Sequence, residues 1–171
     1  MAGRTAWTAG NINGNLNYTT LLNSSDLVSL ANGSSVLSSV ATIANAPGAN
    51  GGDMFMDVSM KLAMSGTGVP PNGSACILWI YNLNQDGVTF GDNQLGTSGS
   101  AGTQFGATPA FPPAAIFGVP SVSASTLFAT VTGITIPPGS FRCALQTNIG
   151  TSLSAGTQTV QYRTYNINLN N

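Results

Sequence analysis

The chain is 171 residues long, with four basic side chains (Arg4, Lys61, Arg142, Arg163), five acidic ones (Asp26, Asp53, Asp57, Asp86, Asp92), no histidine and no glutamate. Charged residues are 5% of the total, against about 25% in an ordinary soluble domain. The length suits one domain, the 42% hydrophobic content rules out general disorder, and a net charge of −1 leaves no basic footprint for nucleic acid.

Residues 1–20 read as an amino-terminal arm rich in Gly, Asn and Thr, and residues 21–171 as a single β-sandwich domain. Arg4, Trp7 and Tyr18 are the arm's candidate contacts with a neighbouring subunit or lattice, because these residue types are enriched at interface hot spots. From Leu21 to Leu37 the pattern predicts two short strands around a turn. Ser24-Ser25-Asp26 offers a cap for a brief helical turn there. Met54 to Met64 alternates, with Met56, Val58, Met60 and Leu62 on one face and Asp57, Ser59 and Lys61 on the other. This predicts a half-buried strand on whose wet face Asp57 is solvated beside Lys61.

Ala75 to Leu83 is apolar on both faces and reads as a central strand, with Trp79 and Tyr81 on one side. Residues 91–113 form a long Gly/Ser/Thr/Ala/Pro segment in which Phe105 is a further candidate interface residue. Thr126 to Ile136, Ser140 to Asn148 and Gln158 to Leu169 complete the predicted strands. In the second of these, Phe141, Cys143 and Leu145 face one way and Arg142 and Gln146 the other. Pro70-Pro71-Asn72-Gly73 and Pro137-Pro138-Gly139 are turn signals before strands, each followed by a Ser and then a Cys. As a repeat, the two units would suit the two halves of a sandwich. The whole predicts an all-β, two-sheet antiparallel sandwich, jelly-roll-like, with an immunoglobulin-like sandwich as the alternative.

Chemistry is excluded by what the composition lacks. Without His or Glu, no Ser-His-Asp or Cys-His triad can form, and general acid–base catalysis loses its usual groups. Asp53 and Asp57 on one strand face stand about 13 Å apart by strand rise, too far for paired carboxylate work. No Gly-rich loop leads into a helix to cradle phosphate. Asn82-x-Asn84-x-Asp86-Gly87 imitates half of a calcium loop, but the twelfth position is Asn93 instead of Glu, so a plain hairpin loop is expected. No catalytic, cofactor or metal residue is predicted. Cys76 and Cys143 are expected as buried, inert thiols in a reducing compartment. The amino terminus lacks a signal-like apolar run and no stretch reaches 18 apolar residues, so cytoplasmic synthesis and no membrane partner are expected. A glycan site using Trp7, Tyr18, Phe105 or Tyr165 beside Asn and Gln is the competing possibility.

The carboxy-terminal third carries a further signal. Ile136-Pro137-Pro138-Gly139-Ser140-Phe141, Leu145-Gln146-Thr147-Asn148-Ile149-Gly150, Ser154-Ala155-Gly156-Thr157-Gln158-Thr159-Val160 and Tyr162-Arg163-Thr164-Tyr165-Asn166 follow one another. This order resembles the small virion structural proteins of tailed bacteriophages, with Leu37-Ser38-Ser39-Val40 fitting more loosely. The chain departs from them in having Ile167-Asn168 where an acidic residue often follows the final Tyr-Asn. The resemblance implies a β-sandwich virion component that decorates or cements the capsid, with the major capsid protein as partner. It also implies a homo-oligomer, a trimer ahead of a dimer. A tail-associated receptor- or glycan-binding module is the alternative, with a hydrolase well behind.

Overall fold

The computed structural model describes residues 4–7, 18–43, 54–64, 69–91, 102, 104–105, 109–122, 126–136, 139–165 and 167–170. In chain order these form β1 (Arg4–Trp7), β2 (Thr19–Leu22), α1 (Ser24–Leu27), β3 (Ser35–Leu37), β4 (Ala41–Ile43), β5 (Phe55–Ala63) and β6 (Ala75–Asn82). Then follow β7 (Gln104–Phe105), β8 (Ala115–Gly118), β9 (Thr126–Thr135), β10 (Gly139–Asn148), β11 (Thr159–Tyr165) and β12 (Ile167–Asn170).

The strands make two stacked antiparallel sheets and a short ribbon. One sheet runs β2-β11-β5-β9, and the other runs β7-β3-β10-β6-β8 with β4 also on β10. β1 and β12 pair apart from both. β3 and β4 lie end to end along β10, facing Ala144–Gln146 and Gly139–Phe141 respectively. Ser38 bridges the gap between them. Its N–H donates to the Cys143 carbonyl at 2.8 Å, and its Oγ accepts from the Cys143 N–H at 2.9 Å. With β3 and β4 taken as one interrupted strand, the principal strands number eight. One sheet then orders them first, eighth, third, sixth, and the other second, seventh, fourth, fifth, with β7 added at an edge.

The predicted alternations hold. Met56, Val58, Met60 and Leu62 of β5 meet Cys76 and Leu78 of β6 and Phe141, Cys143 and Leu145 of β10 in one core between the sheets. Each such side chain contributes about 1.5–3 kcal/mol when fully buried. Between β2 and β3 the turn is a single helical turn, and its cap is Asn23 instead of a serine. Asn23 Oδ1 accepts from the N–H groups of Ser25 (2.9 Å) and Asp26 (3.2 Å), and Asp26 Oδ2 accepts from the Asn23 N–H at 2.9 Å. This reciprocal arrangement satisfies donors that a helix start leaves orphaned. The turn delivers Leu27 and Leu30 into the core.

β6 lacks alternation because both of its faces are covered. Its outer face carries Trp79 and Tyr81, which with Leu37 and Ala144 form a second, smaller core roofed by Phe90 and Phe111. The two Pro-Pro units do not divide between the halves of the sandwich. β6 and β10, the strands that follow them, are neighbours in one sheet, with Cys76 opposite Thr147. Pro137 and Pro138 lie outside the described residues.

Candidate functional site

The four predicted interface residues fall on three segments of the chain. Arg4 and Trp7 sit on β1, opposite Asn170 and Ile167 of β12. Phe105 sits on β7, opposite Ser35 of β3. Tyr18 is half-buried just before β2, and the Arg163 guanidinium lies over its ring, 5.5 Å from the centroid. The side chains of Arg4, Trp7 and Phe105 lie outside those described, so the Tyr18–Arg163 contact is what the structure describes of these side chains.

What the structure gathers is charge. Asp57 is not solvated beside Lys61, as the alternation of β5 predicts; it is 2% exposed and paired with Arg163. Arg163 Nη2 lies 2.7 Å and Nε 2.8 Å from Asp57 Oδ2, while the Gly133 N–H donates to Oδ1 at 3.0 Å. Two local facts produce this. The register of β11 on β5 sets Arg163 directly opposite Asp57. An irregularity against β9 falls between Met56 and Val58, where Gly133 adopts φ +74° and turns its N–H onto the carboxylate. Tyr165 closes the cluster: its ring stacks on Phe55 at 5.7 Å, and burial together with the Asp57 carboxylate pushes its phenol pKa up. Lys61 turns elsewhere and donates to Thr157 Oγ1 at 2.9 Å.

The outer face of the other sheet holds charge differently. Arg142, on β10, is 2% exposed, and its Nε has no hydrogen-bond partner among the described residues. Its guanidinium rests over Phe90, 5.6 Å from the ring centroid, and burial lowers its pKa. Beside it is a cavity of about 280 Å³ lined by Ile80, Tyr81, Asn82, Asn84, Gly91 and Phe111. Tyr81 and Phe111 meet edge to face at 5.0 Å. Trp79 fixes Phe111 by donating its indole N–H to the Phe111 carbonyl at 3.1 Å. Sequence reasoning missed this place. The apolar outer face of β6 was its only trace, because the walls come from three separated stretches.

The calcium-like motif is a closed hairpin loop. Leu83 and Phe90 form an antiparallel bridge. Asp86 Oδ1 accepts from the Val88 and Thr89 N–H groups at 2.9 Å, and Oδ2 from the Thr89 hydroxyl at 2.5 Å. Those bonds lower its pKa and turn its oxygens onto its own loop. Asp53 lies outside the described residues, and no group of three or more His, Cys, Asp or Glu converges among those described. Cys76 and Cys143 are buried free thiols, and burial pushes Cys76 up to about 12 and Cys143 upward as well. Such thiols are poor nucleophiles. No helix among the described residues is long and apolar enough to cross a membrane. Of the aromatics considered for glycans, Tyr18 is engaged by Arg163 and Tyr165 is buried. No protein-family model, no curated protein and no solved structure matches the chain.

Proposed function

We propose that this chain is a non-enzymatic structural protein of a tailed-phage virion, a decoration or cement protein that stabilises the head by binding the assembled capsid lattice. One observation carries the reading: the described surface is almost free of charge. Asp57 and Arg142 are buried and Arg163 is neutralised by Asp57, which leaves Asp26, Lys61 and Asp86 as the surface charges among the residues whose side chains are described. A surface this neutral favours association over dispersal. The order of the eight principal strands supports a jelly-roll topology, a frequent architecture of capsid domains. The resemblance of the carboxy-terminal third to virion proteins points the same way.

On this reading the partners are the major capsid protein and further copies of the chain, as a trimer on a lattice three-fold or, second, a dimer. A cement binds the lattice and not the free capsid subunit, so its effect grows with occupied sites. The deciding experiment is imaging of particles from a phage that encodes the chain. Density for the chain distributed over the head is expected, and density confined to the tail tip would reject cement in favour of a recognition module. Sedimentation in high salt adds a second test. Association is expected to survive, since apolar and hydrogen-bonded contacts are little screened. Dissociation at moderate salt would contradict it.

A further inference from the structure

We infer that the cavity on the outer face of the six-stranded sheet is a binding site for a single neutral sugar ring, held by Phe111, Asn82 and Asn84 over a floor that includes Tyr81. Its size is the first argument. At about 280 Å³ it lies just under the ~300–1,000 Å³ of cavities that take drug-sized ligands, so it suits one ring and not a dinucleotide or a long chain.

Its walls are the second. A pyranose presents flat C–H faces, which pack on aromatic rings, and a rim of hydroxyls, which need donors and acceptors together. Phe111, half-buried, supplies the ring at the wall, set at 80° to the buried Tyr81 ring beneath it. The carboxamides of Asn82 and Asn84 each carry both a donor and an acceptor, and both residues are exposed at the rim. No charged side chain among the described residues lines the cavity. An ionic ligand would therefore lose hydration without a counter-charge at the wall. Arg142 lies behind Phe90, outside the lining.

The third argument is rigidity. Trp79 pins Phe111 through its carbonyl, and the hairpin fixes the two asparagines from behind. Asn84 Nδ2 donates to Thr89 Oγ1 at 3.0 Å, the Asn84 N–H to the Thr89 carbonyl at 2.7 Å, and the Gly91 N–H to the Asn82 carbonyl at 3.2 Å. A site held this way loses little ordering entropy on binding. Gly91 keeps the space open: a Cβ built there meets no atom within 4 Å, and its backbone is not in the left-handed region. A side chain at this position enters open space without strain.

The inference stands apart from the decoration reading, because location in the particle and sugar binding are measured separately. The test is a titration of the isotopically labelled full chain, followed by amide NMR. The probes are methyl glycosides of glucose, galactose, mannose and N-acetylglucosamine, with methyl glucuronide as the charged control. At least one neutral glycoside is expected to shift the amides of Asn82, Asn84 and Gly91 with a millimolar Kd. Gly91→Leu is expected to weaken that binding at least ~10-fold while the rest of the spectrum and the melting temperature stay in place. Phe111→Ala is expected to weaken it too, and its melting temperature is measured alongside. The proposal is overturned if no neutral glycoside shifts these amides, if the shifts survive Gly91→Leu, or if the glucuronide binds as well as the neutral glycosides.

Discussion

The outer faces of the two sheets bury charge in opposite ways. On the four-stranded sheet, Asp57 meets Arg163 with two short contacts and also accepts the Gly133 N–H. On the six-stranded sheet, Arg142 is buried, with its guanidinium over Phe90, and leaves Nε unpaired among the described residues. Burial alone therefore says little about what a charge contributes. A buried pair is costly to break, because one partner is stranded, whereas a buried guanidinium with an orphaned Nε carries a desolvation cost that an apolar side chain of similar volume would not. The difference arises from register. β11 brings a cation opposite a carboxylate on β5, while β6 brings Tyr81 opposite Arg142 on β10.

The largest expected effect breaks the paired face. Arg163→Met leaves the Asp57 carboxylate in place with the Gly133 N–H, and should cost about 3 kcal/mol, the low end for stranding a buried charge. Asp57→Asn should cost less, about 1–2 kcal/mol, since Arg163 is 23% exposed and can turn to water. Urea titration of both variants checks the asymmetry; equal costs would mean that the pair is not held as described.

A pH series separates the faces from the interior between them. Burial raises Cys76 from an ordinary 9.0 to about 12 and also raises Cys143, so the unfolded chain gives up its thiol protons first. The raised folded values keep this stability whole below pH 9 and let it drain away as pH climbs toward 12. Each thiol removes at most ~1.4 kcal/mol per pH unit. The phenols of the half-buried Tyr162 and the buried Tyr165, also raised, add to the loss in the same direction. Cys76→Ala should flatten the slope of the urea midpoint against pH above 9, and an unchanged slope would show that the thiols are not the cause.

The unpaired face should respond with the opposite sign. Arg142→Met is expected to stabilise the domain by about 1 kcal/mol, after the loss of a cation–π contact with Phe90 worth about 0.5–1 kcal/mol. A destabilisation as large as that of Arg163→Met would erase the contrast. The smallest effect belongs to Tyr18→Leu, which removes the ring under Arg163 but leaves the ion pair, and should cost about 0.5 kcal/mol in the same titration.

Much of this architecture is legible in the residue order. The period-two runs at 54–64, 126–136 and 140–148 became strands β5, β9 and β10, and the unbroken apolar run of β6 became a strand covered on both faces. Phe141, Cys143 and Leu145 face the core and Arg142 faces away from it, because side chains on a strand must alternate. The predicted final strand from Gln158 to Leu169 is present as β11 and β12, and the stretch around Leu21 to Leu37 holds two short strands about a helical turn. The all-β, two-sheet antiparallel class follows from these local signals.

Tertiary structure decided which faces are wet. Asp57 reads as solvated because alternation points it away from the core, yet its partner stands 106 residues later and its backbone donor 76 residues later. Arg142 also points outward, and Phe90, 52 residues earlier in the chain, lies against its guanidinium. The cavity needs residues 80–84, 91 and 111 brought together, and no window of sequence contains them all. The period of a strand fixes which side chains share a face, a local property of an extended backbone. What lies over that face depends on pairing register and loop placement, which are set by contacts between segments far apart in the chain.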